Sequence, residues 1–248
     1  MIKFFRKIRQ KLLSENKFSK YLLYALGEIV LVVIGILIAL QINNWNQKRI
    51  DENQKKVLLN SLHLEFKENK NILKAYKDGA GKIVGSYKRL IDLVGQSREE
   101  LLKHDLDSLF FSALSENELS FSENTLNNIV QSNQLSLFKN ENIQVLMNEW
   151  RTLSEIRDNR LEKSNQWNNN HLIPFLMPYI SFKEMDANGN YEWTGKSKVK
   201  PDYYPLFQNV EFENYIDNSM WYWQSVLERV EETDLLIDKI ITTSKPEQ

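Results

Sequence analysis

The titratable residues of this chain lack the spacing of a metal or catalytic centre. Metal sites need clustered ligands at set intervals, such as the H-E-x-x-H pattern on a helix. No such pattern occurs, and the chain's three histidines are scattered along it, at His63, His104 and His171. The chain has no cysteine, which excludes disulfides, thiolate metal sites and a cysteine nucleophile. We therefore expect no metal and no cofactor.

The stretch Asp186–Asn190, with sequence DANGN, resembles the start of a calcium-binding loop. Such a loop needs glycine at its sixth position and an acidic residue at its twelfth. Those positions hold Tyr191 and Ser197. An Asn-Gly pair is instead a strong β-hairpin turn signal, so a small hairpin is predicted over about 179–195.

Signatures of common enzyme classes are missing from the sequence. It contains no G-x-S-x-G elbow, no phosphate-binding glycine loop and no dinucleotide fingerprint. Acidic pairs such as Glu99/Glu100 and Glu231/Glu232 are adjacent in sequence, and adjacent residues do not face each other on a helix. They indicate a solvated surface, and we expect the protein not to be an enzyme.

Aromatic residues concentrate late in the chain. One interpretation is a surface for a ligand or a partner, because Tyr and Trp combine flat apolar faces with polar tips. The alternative is core packing within a helix. Trp221, Tyr222 and Trp223 are consecutive, so at least one must face away from the core. The candidate surface residues are Tyr203, Tyr204, Trp221 and Trp223.

A membrane-spanning helix is predicted over residues 21–42, because a span needs about 20 apolar residues. Tyr21 and Tyr24 at one end and Trp45 beyond the other fit the two interfacial aromatic belts. A cleaved signal peptide is the alternative. Its apolar region is usually about 7–15 residues with a small-x-small cleavage site, whereas Ala39-Leu40-Gln41 fits such a site poorly. An uncleaved signal anchor is favoured.

Residues 1–20 carry the charges that set the predicted orientation. They hold seven Lys and Arg residues against Glu15 alone, and positive charge favours the cytoplasmic side. The same segment forms a basic amphipathic pattern suited to an anionic membrane surface. We expect the N-terminus in the cytoplasm and the rest of the chain in the periplasm.

One face of the predicted span carries a carboxyl group and two small residues. Glu28, Gly35 and Ala39 share this face, and a small-xxx-small pair lets helices approach closely. The lipid bilayer would surround the other faces. The face is predicted to contact a second copy or a partner membrane protein. The alternative is that Glu28 reaches the headgroups from near the cytoplasmic end.

The remainder is predicted to be mainly α-helical. Residues 43–56 form a polar helical stalk, and 57–248 form a helical-bundle domain of about four to six helices. Apolar residues recur at helical spacing from Leu58 to Tyr76, and the glycines of Asp78–Gly81 predict a break. Capping patterns start helices after Ser97 and Ser120, and a long helix over 212–243 should pack against the first.

The stretches MIKFFRKIRQKLL and GEIVLVVIGILIALQINNWN, within Met1–Asn46, form a recognisable N-terminal pattern, and Thr125–Trp150 forms a looser one. In these stretches the sequence resembles a large uncharacterised family of single-pass membrane proteins, abundant in Bacteroidota such as the flavobacteria. Asn133 occupies the position of the glycine in the family's "SSG" turn. The resemblance implies an inner-membrane protein with a helical periplasmic domain, and it implies no activity and no functional residues.

We therefore expect a membrane-anchored periplasmic interaction or scaffold module, either oligomeric or accessory to an envelope complex. The alternative is a ligand-sensing ectodomain that signals through a partner, because about 20 cytoplasmic residues cannot form a signalling domain. The formal net charge of −1 gives no support for nucleic-acid binding.

Overall fold

The computed structural model describes residues 18–138, 142–189, 191–193 and 195–246. It divides the chain into two compact units, Met1–Lys56 and Val57–Gln248. Residues 1–17, the greater part of the predicted basic segment, lie outside the described residues. The described ranges are mainly helical and contain no strand, which confirms the mainly α prediction.

Three long helices and several short ones make up the described chain. Between the helices lie a 3₁₀ turn (Gln134–Phe138), a π turn (Asn168–Leu172) and a second 3₁₀ turn (Asp186–Asn188). The helices in chain order are α1 (Phe18–Asp92), α2 (Arg98–Leu101), α3 (Leu106–Ala113), α4 (Asn124–Gln131), α5 (Asn142–Trp167), α6 (Ile173–Leu176), α7 (Phe182–Met185), α8 (Tyr204–Phe207) and α9 (Val210–Thr243).

The second unit is built on α5, α9 and the part of α1 that follows Lys56. Phe66 of α1 meets Trp150 of α5 edge-on, with ring centroids 4.7 Å apart. His63 Nδ1 lies 2.9 Å from the carbonyl oxygen of Ile241 in α9. The predicted packing of the last helix against the first is thus confirmed within this unit.

The predicted break at Asp78–Gly81 is wrong, because α1 runs through it to Asp92. Gly79 instead lets another segment approach the helix. A Cβ at this position would lie 2.7 Å from the Asn117 side-chain oxygen, a distance too short for real contacts. The Asn117 amide donates to the carbonyl of Tyr76 at 2.9 Å, so the glycine accommodates a tie between α1 and the chain that follows α3.

Polar side chains of α1 also fix the start of α4. The Asn69 amide donates to Ser122 O at 2.8 Å and accepts from Ser122 N at 2.9 Å. The Glu65 carboxylate accepts from the backbone N–H of Thr125 at 3.1 Å. The predicted cap at Ser120 is therefore wrong: α4 begins at Asn124, and a carboxylate from a distant helix takes the capping role.

Two turns use backbone conformations with positive φ. Gly95 follows α1 with φ +77° and donates its N–H to Phe207 O at 2.8 Å, which confirms the predicted end of this helix region. Asn133 follows α4 with φ 55°. Asparagine tolerates this left-handed region better than most residues.

The described residues do not confirm the predicted hairpin over about 179–195. A hairpin of this kind needs positive φ around Asn-Gly, whereas Gly189 has φ −100° and ψ 169°. Ser181 Oγ caps a helical turn by accepting from Glu184 N at 3.3 Å. The Asn188 amide donates to Met185 O at 3.1 Å. Local side-chain bonds thus favour helical turns over 182–188.

Candidate functional sites

The apolar stretch at the start of α1 has no core to enter. Every Leu, Ile and Val between Leu22 and Ile42 is exposed within the structure. By length and composition, the helix over Leu22–Asp92 qualifies as a candidate membrane span, the single one found in the described residues. Such a surface is favourable in a lipid environment and costly in water.

Glu28, Gly35 and Ala39 lie within this stretch. At 3.6 residues per turn, the continuous helix places all three on one face. Gly35 and Ala39 are exposed and Glu28 is half-buried, and no atom lies within 4 Å of a Cβ built on Gly35. The geometry permits a close helix contact on this face, and its use for one stays a prediction.

Tyr203 lies at the start of α8, beside α3. Its ring stacks on Phe110 with centroids 5.9 Å apart and planes 15° apart, and its hydroxyl donates to the Asp107 carboxylate. Burial, with this hydrogen bond and the carboxylate charge, raises the pKa of Tyr203. The hydroxyl therefore keeps its proton near neutral pH and acts as a donor, not as a general base.

Asp107 is held in a partly buried and acidic environment. Burial raises its pKa above the usual range, the hydrogen bond from Tyr203 opposes this rise, and the charges of Glu184 and Asp105 add to it. The carboxyl therefore binds a proton more readily than an exposed aspartate does.

Tyr204 belongs to an ion-pair arrangement next to Tyr203. The Arg98 guanidinium donates to both oxygens of Asp202, at 2.7 and 2.9 Å, and lies 4.7 Å from the centre of the Tyr204 ring. The hydrogen bonds from Arg98 hold the pKa of Asp202 below its usual value. This geometry combines a two-pronged carboxylate contact with a cation–π contact.

These groups border a cleft of about 370 Å³, which we call the tyrosine cleft. It is large enough for a small ligand, and its arginine and tyrosine are engaged with neighbouring carboxylates. No group of three His, Asp or Glu side chains able to hold a metal occurs in the described residues. The lining includes Arg98, His104, Asp105, Asp107, Asp202, Tyr203 and Tyr204.

The two tryptophans of the predicted surface separate. Trp223 is 6% exposed and belongs to the core, and its indole N–H has no partner among the described residues. Trp221 is 59% exposed, as expected for one of three consecutive aromatic residues, and it borders a different cleft from Tyr203. The four residues do not form one surface, and burial removes Trp223 from any surface of this conformation.

Sequence reasoning missed several residues that border the tyrosine cleft and the cleft beside Trp221. Arg98 and Asp202 are 104 positions apart, and no local pattern joins them. Trp167 and His171 did give a signal, since residues four apart on a helix are neighbours. The residues missed are Arg98, Asp107, Asp202, Arg160, Lys163, Trp167 and His171.

The fold and these sites define a helical protein with one candidate membrane span in its described part. The sequence model of a family described as "Family of unknown function (DUF6090)" matches residues 28–103. This range runs from Glu28 through α1 to just beyond α2. It overlaps the resemblance over Met1–Asn46 from Glu28 onward and ends before Thr125–Trp150. No curated protein matches the chain, and no solved structure does.

Proposed function

We propose that the chain is a membrane-anchored module that acts by binding a partner rather than by catalysis. In this proposal residues 21–42 cross the bacterial inner membrane, residues 1–20 lie in the cytoplasm, and the domain from Val57 onward lies in the periplasm. Residues 43–56 form the connecting stalk. The observation that carries the proposal is that every Leu, Ile and Val from Leu22 to Ile42 is exposed.

The proposed contact within the membrane uses the face of Glu28, Gly35 and Ala39. The open space around Gly35 supports close approach of a second helix, and small residues are what such interfaces favour. A carboxyl group in this face can hydrogen-bond across the interface, which is one role of ionisable residues inside membranes. The partner is a second copy of the chain or a membrane protein of a larger envelope complex.

A ligand-sensing role is the second candidate. The tyrosine cleft supports it, because its volume of about 370 Å³ suits a small molecule and its lining offers polar groups beside aromatic rings. A signal would then pass to a partner through α1.

Topology is tested by single cysteines, since the natural chain has none. Ser14→Cys lies in the proposed cytoplasmic segment, and Ser120→Cys is exposed on the domain. A membrane-impermeant maleimide added to cells with a permeabilised outer membrane should label Ser120→Cys only, with Ser14→Cys labelled after lysis. Labelling of both variants before lysis, or of Ser14→Cys alone, would contradict the proposed orientation.

Self-association is tested by disulfide crosslinking within the apolar stretch. Gly35→Cys and Ala39→Cys should crosslink, and Val33→Cys and Leu37→Cys, on the opposite face at 100° per residue, should not. Adding Glu28→Leu to Gly35→Cys should leave membrane insertion intact and lower the yield several-fold, because an interfacial hydrogen bond is lost.

Equal crosslinking yields on both faces of the helix would contradict the predicted contact through Gly35 and Ala39. An unchanged yield with Glu28→Leu would remove the role proposed for this carboxyl group. A photocrosslinking residue at position 39 gives a matched test for a different membrane partner, and its adduct should disappear when the residue is moved to position 37.

A further inference from the structure

A second cleft lies between α5 and α9, on the side of Trp221. It has a volume of about 400 Å³, within the range of about 300–1,000 Å³ typical of ligand sites. Its lining contains basic, aromatic and amide side chains and no Asp or Glu. We call it the cationic groove, and its principal side chains are Arg160, Lys163, Trp167, His171, Trp221 and Tyr222.

The cations of the groove lack acidic partners. Arg160 and Lys163 form no ion pair with any described residue, whereas Lys70, Lys77 and Arg98 elsewhere in the domain are all paired. The neighbouring Glu162 accepts from the Gln166 amide at 2.9 Å. Two basic side chains therefore border this concave surface without an ion-pair partner among the described residues, which favours an anionic group in it.

Aromatic rings form the wall of the groove. The Trp167 ring lies 4.8 Å from the ring of His171 and 5.8 Å from that of Tyr222, tilted by 31° in each case. Trp221 meets Tyr222 edge-on at 5.1 Å and is 59% exposed. An exposed Trp beside this group offers a flat apolar face to a ligand ring, next to the charges.

The wall is fixed from the core side. The Trp167 indole N–H donates to Ser219 Oγ at 3.1 Å, and Ser219 is 1% exposed. The fully buried Tyr87 donates its hydroxyl to Asn168 Oδ1 at 3.5 Å. A buried polar network thus holds Trp167 in place, and pre-ordered walls lower the entropic cost of binding.

A π turn over Asn168–Leu172 interrupts the helix at the groove. Such turns are rare and occur frequently at functional sites. Here the π turn carries His171 on the groove side, while the side chain of Asn168 joins the buried network. The π turn therefore orients His171 towards the groove and Asn168 towards the buried network.

We propose that the cationic groove binds an anionic sugar unit, one that bears a carboxylate or a phosphate. The apolar face of the sugar ring lies against Trp221, and its hydroxyls meet the amide of Asn170, which can both donate and accept. The acidic group lies at Arg160 and Lys163. The groove binds such a sugar whether or not the chain is anchored in a membrane, so the two proposals fail independently.

Isothermal titration of the full chain, in a detergent without a sugar headgroup, tests this binding. The acidic probes are trigalacturonic acid and glucose 6-phosphate, and the neutral counterparts are maltotriose and glucose. Acetate and inorganic phosphate supply the anions without the ring. We expect at least one acidic probe to bind about tenfold more tightly than its neutral counterpart and than the free anion, since hydrogen bonds to charged groups are the strong ones.

Whichever acidic probe binds more tightly identifies the acidic group of the preferred sugar as a carboxylate or a phosphate. No binding of either acidic probe, or equal binding of acidic and neutral sugars, overturns the proposal. Free phosphate or acetate binding as tightly as the sugars also overturns it, since the groove would then be a simple anion site. Preferential binding of a single-stranded oligonucleotide, which suits cations beside aromatic rings, overturns it too.

Substitutions in the cationic groove test whether the acidic probes bind there. Lys163→Gln should weaken the acidic probe about tenfold, and Trp221→Ala about fivefold. The matched controls are Lys74→Gln and Trp193→Ala, two exposed residues outside the groove, which should bind as the natural chain does. Far-UV circular dichroism verifies the fold of each variant. Unchanged affinity in both groove variants, or equal losses in the controls, places the binding elsewhere and overturns the assignment.

Discussion

The two ends of α1 use similar residues in different surroundings. From Leu22 to Ile42 every Leu, Ile and Val is exposed, whereas from Leu58 to Leu90 a single stripe is at most 8% exposed. The first stretch is apolar on all sides except at Glu28, as in a membrane span, and the second is apolar along one face, as in a globular domain. Helix formation alone therefore does not distinguish the two stretches, and the arrangement of polar residues around the helix does.

Several polar residues of the second stretch bind defined partners. Asn69 binds Ser122 just before α4, and Glu65 binds the backbone of Thr125 in the first turn of α4. Lys70 and Lys77 each contact Asp234 of α9, at 2.7 and 3.3 Å. The part of α1 from Val57 onward is thus held by partners on several sides, whereas every Leu, Ile and Val of the apolar stretch before it is exposed. Substitutions in the two stretches should therefore have different effects.

The largest effect is expected from Phe66→Ala. Phe66 is fully buried against Trp150, so its truncation should lower the free energy of unfolding by about 3–5 kcal/mol. Urea unfolding followed by tryptophan fluorescence measures the change. Ile34→Ala, in the exposed stretch, is the control and should leave the unfolding of the domain unchanged. A loss below about 1 kcal/mol in Phe66→Ala would contradict the packing described for the second stretch.

Val32→Arg should reduce membrane insertion. An arginine at the middle of a span costs about 2.5–3.5 kcal/mol, so the membrane fraction of the variant should fall clearly in cell fractionation. The matched control is Leu64→Arg, since Val32 and Leu64 are 57% and 58% exposed. Equal membrane fractions for the two variants would contradict the proposal that position 32 lies in lipid and position 64 in water.

The smallest effect is expected from Asp234→Asn. Burial raises the pKa of Asp234, but the hydrogen bonds of Lys70 and Lys77 outweigh it and lower the pKa overall. The free energy of unfolding of the variant should be lower by about 1 kcal/mol at neutral pH, because ion pairs between partly exposed side chains are weak. Thermal unfolding measures the loss, and Asp217→Asn, an exposed position on the same helix, should show none.

The pH dependence of this loss has a definite sign. A depressed carboxyl pKa stabilises the fold above the unfolded value of about 3.9, and the benefit disappears as the pH falls through the folded pKa. The difference between the natural chain and Asp234→Asn should therefore shrink below about pH 4. A difference that stays constant down to pH 2 would exclude the ion pairs as its source.

Local patterns predicted the parts of the fold that depend on local physics. The stripe Leu58, Leu62, Phe66, Leu73 and Tyr76 is buried, and Ser97 Oγ accepts from Glu100 N at 3.2 Å. Asp78–Gly81 and Ser120 were predicted wrongly because distant residues decide them: Asn117 packs on Gly79, and Glu65 caps α4. At Asn188-Gly189 the described residues form helical turns as far as Asn188 and do not confirm the hairpin.

The sites were predictable to a smaller extent. Consecutive Trp221, Tyr222 and Trp223 required different orientations, and the structure shows one exposed and one buried tryptophan. Periodicity could not show that Arg98 meets Asp202, or that Arg160 and Lys163 of α5 lie beside Trp221 of α9. Such juxtapositions depend on how helices pack, which residue spacing within one helix does not contain.

The contact between His63 and Ile241 joins residues 178 positions apart, and this separation has a consequence for biosynthesis. The apolar stripe of α1 is translated well before α9, one of the two long helices that cover it. At roughly 5–20 residues per second, the stripe waits on the order of ten seconds for its cover. During this interval the nascent chain is open to aggregation and to capture by chaperones, and truncation before Val210 would make that exposure permanent.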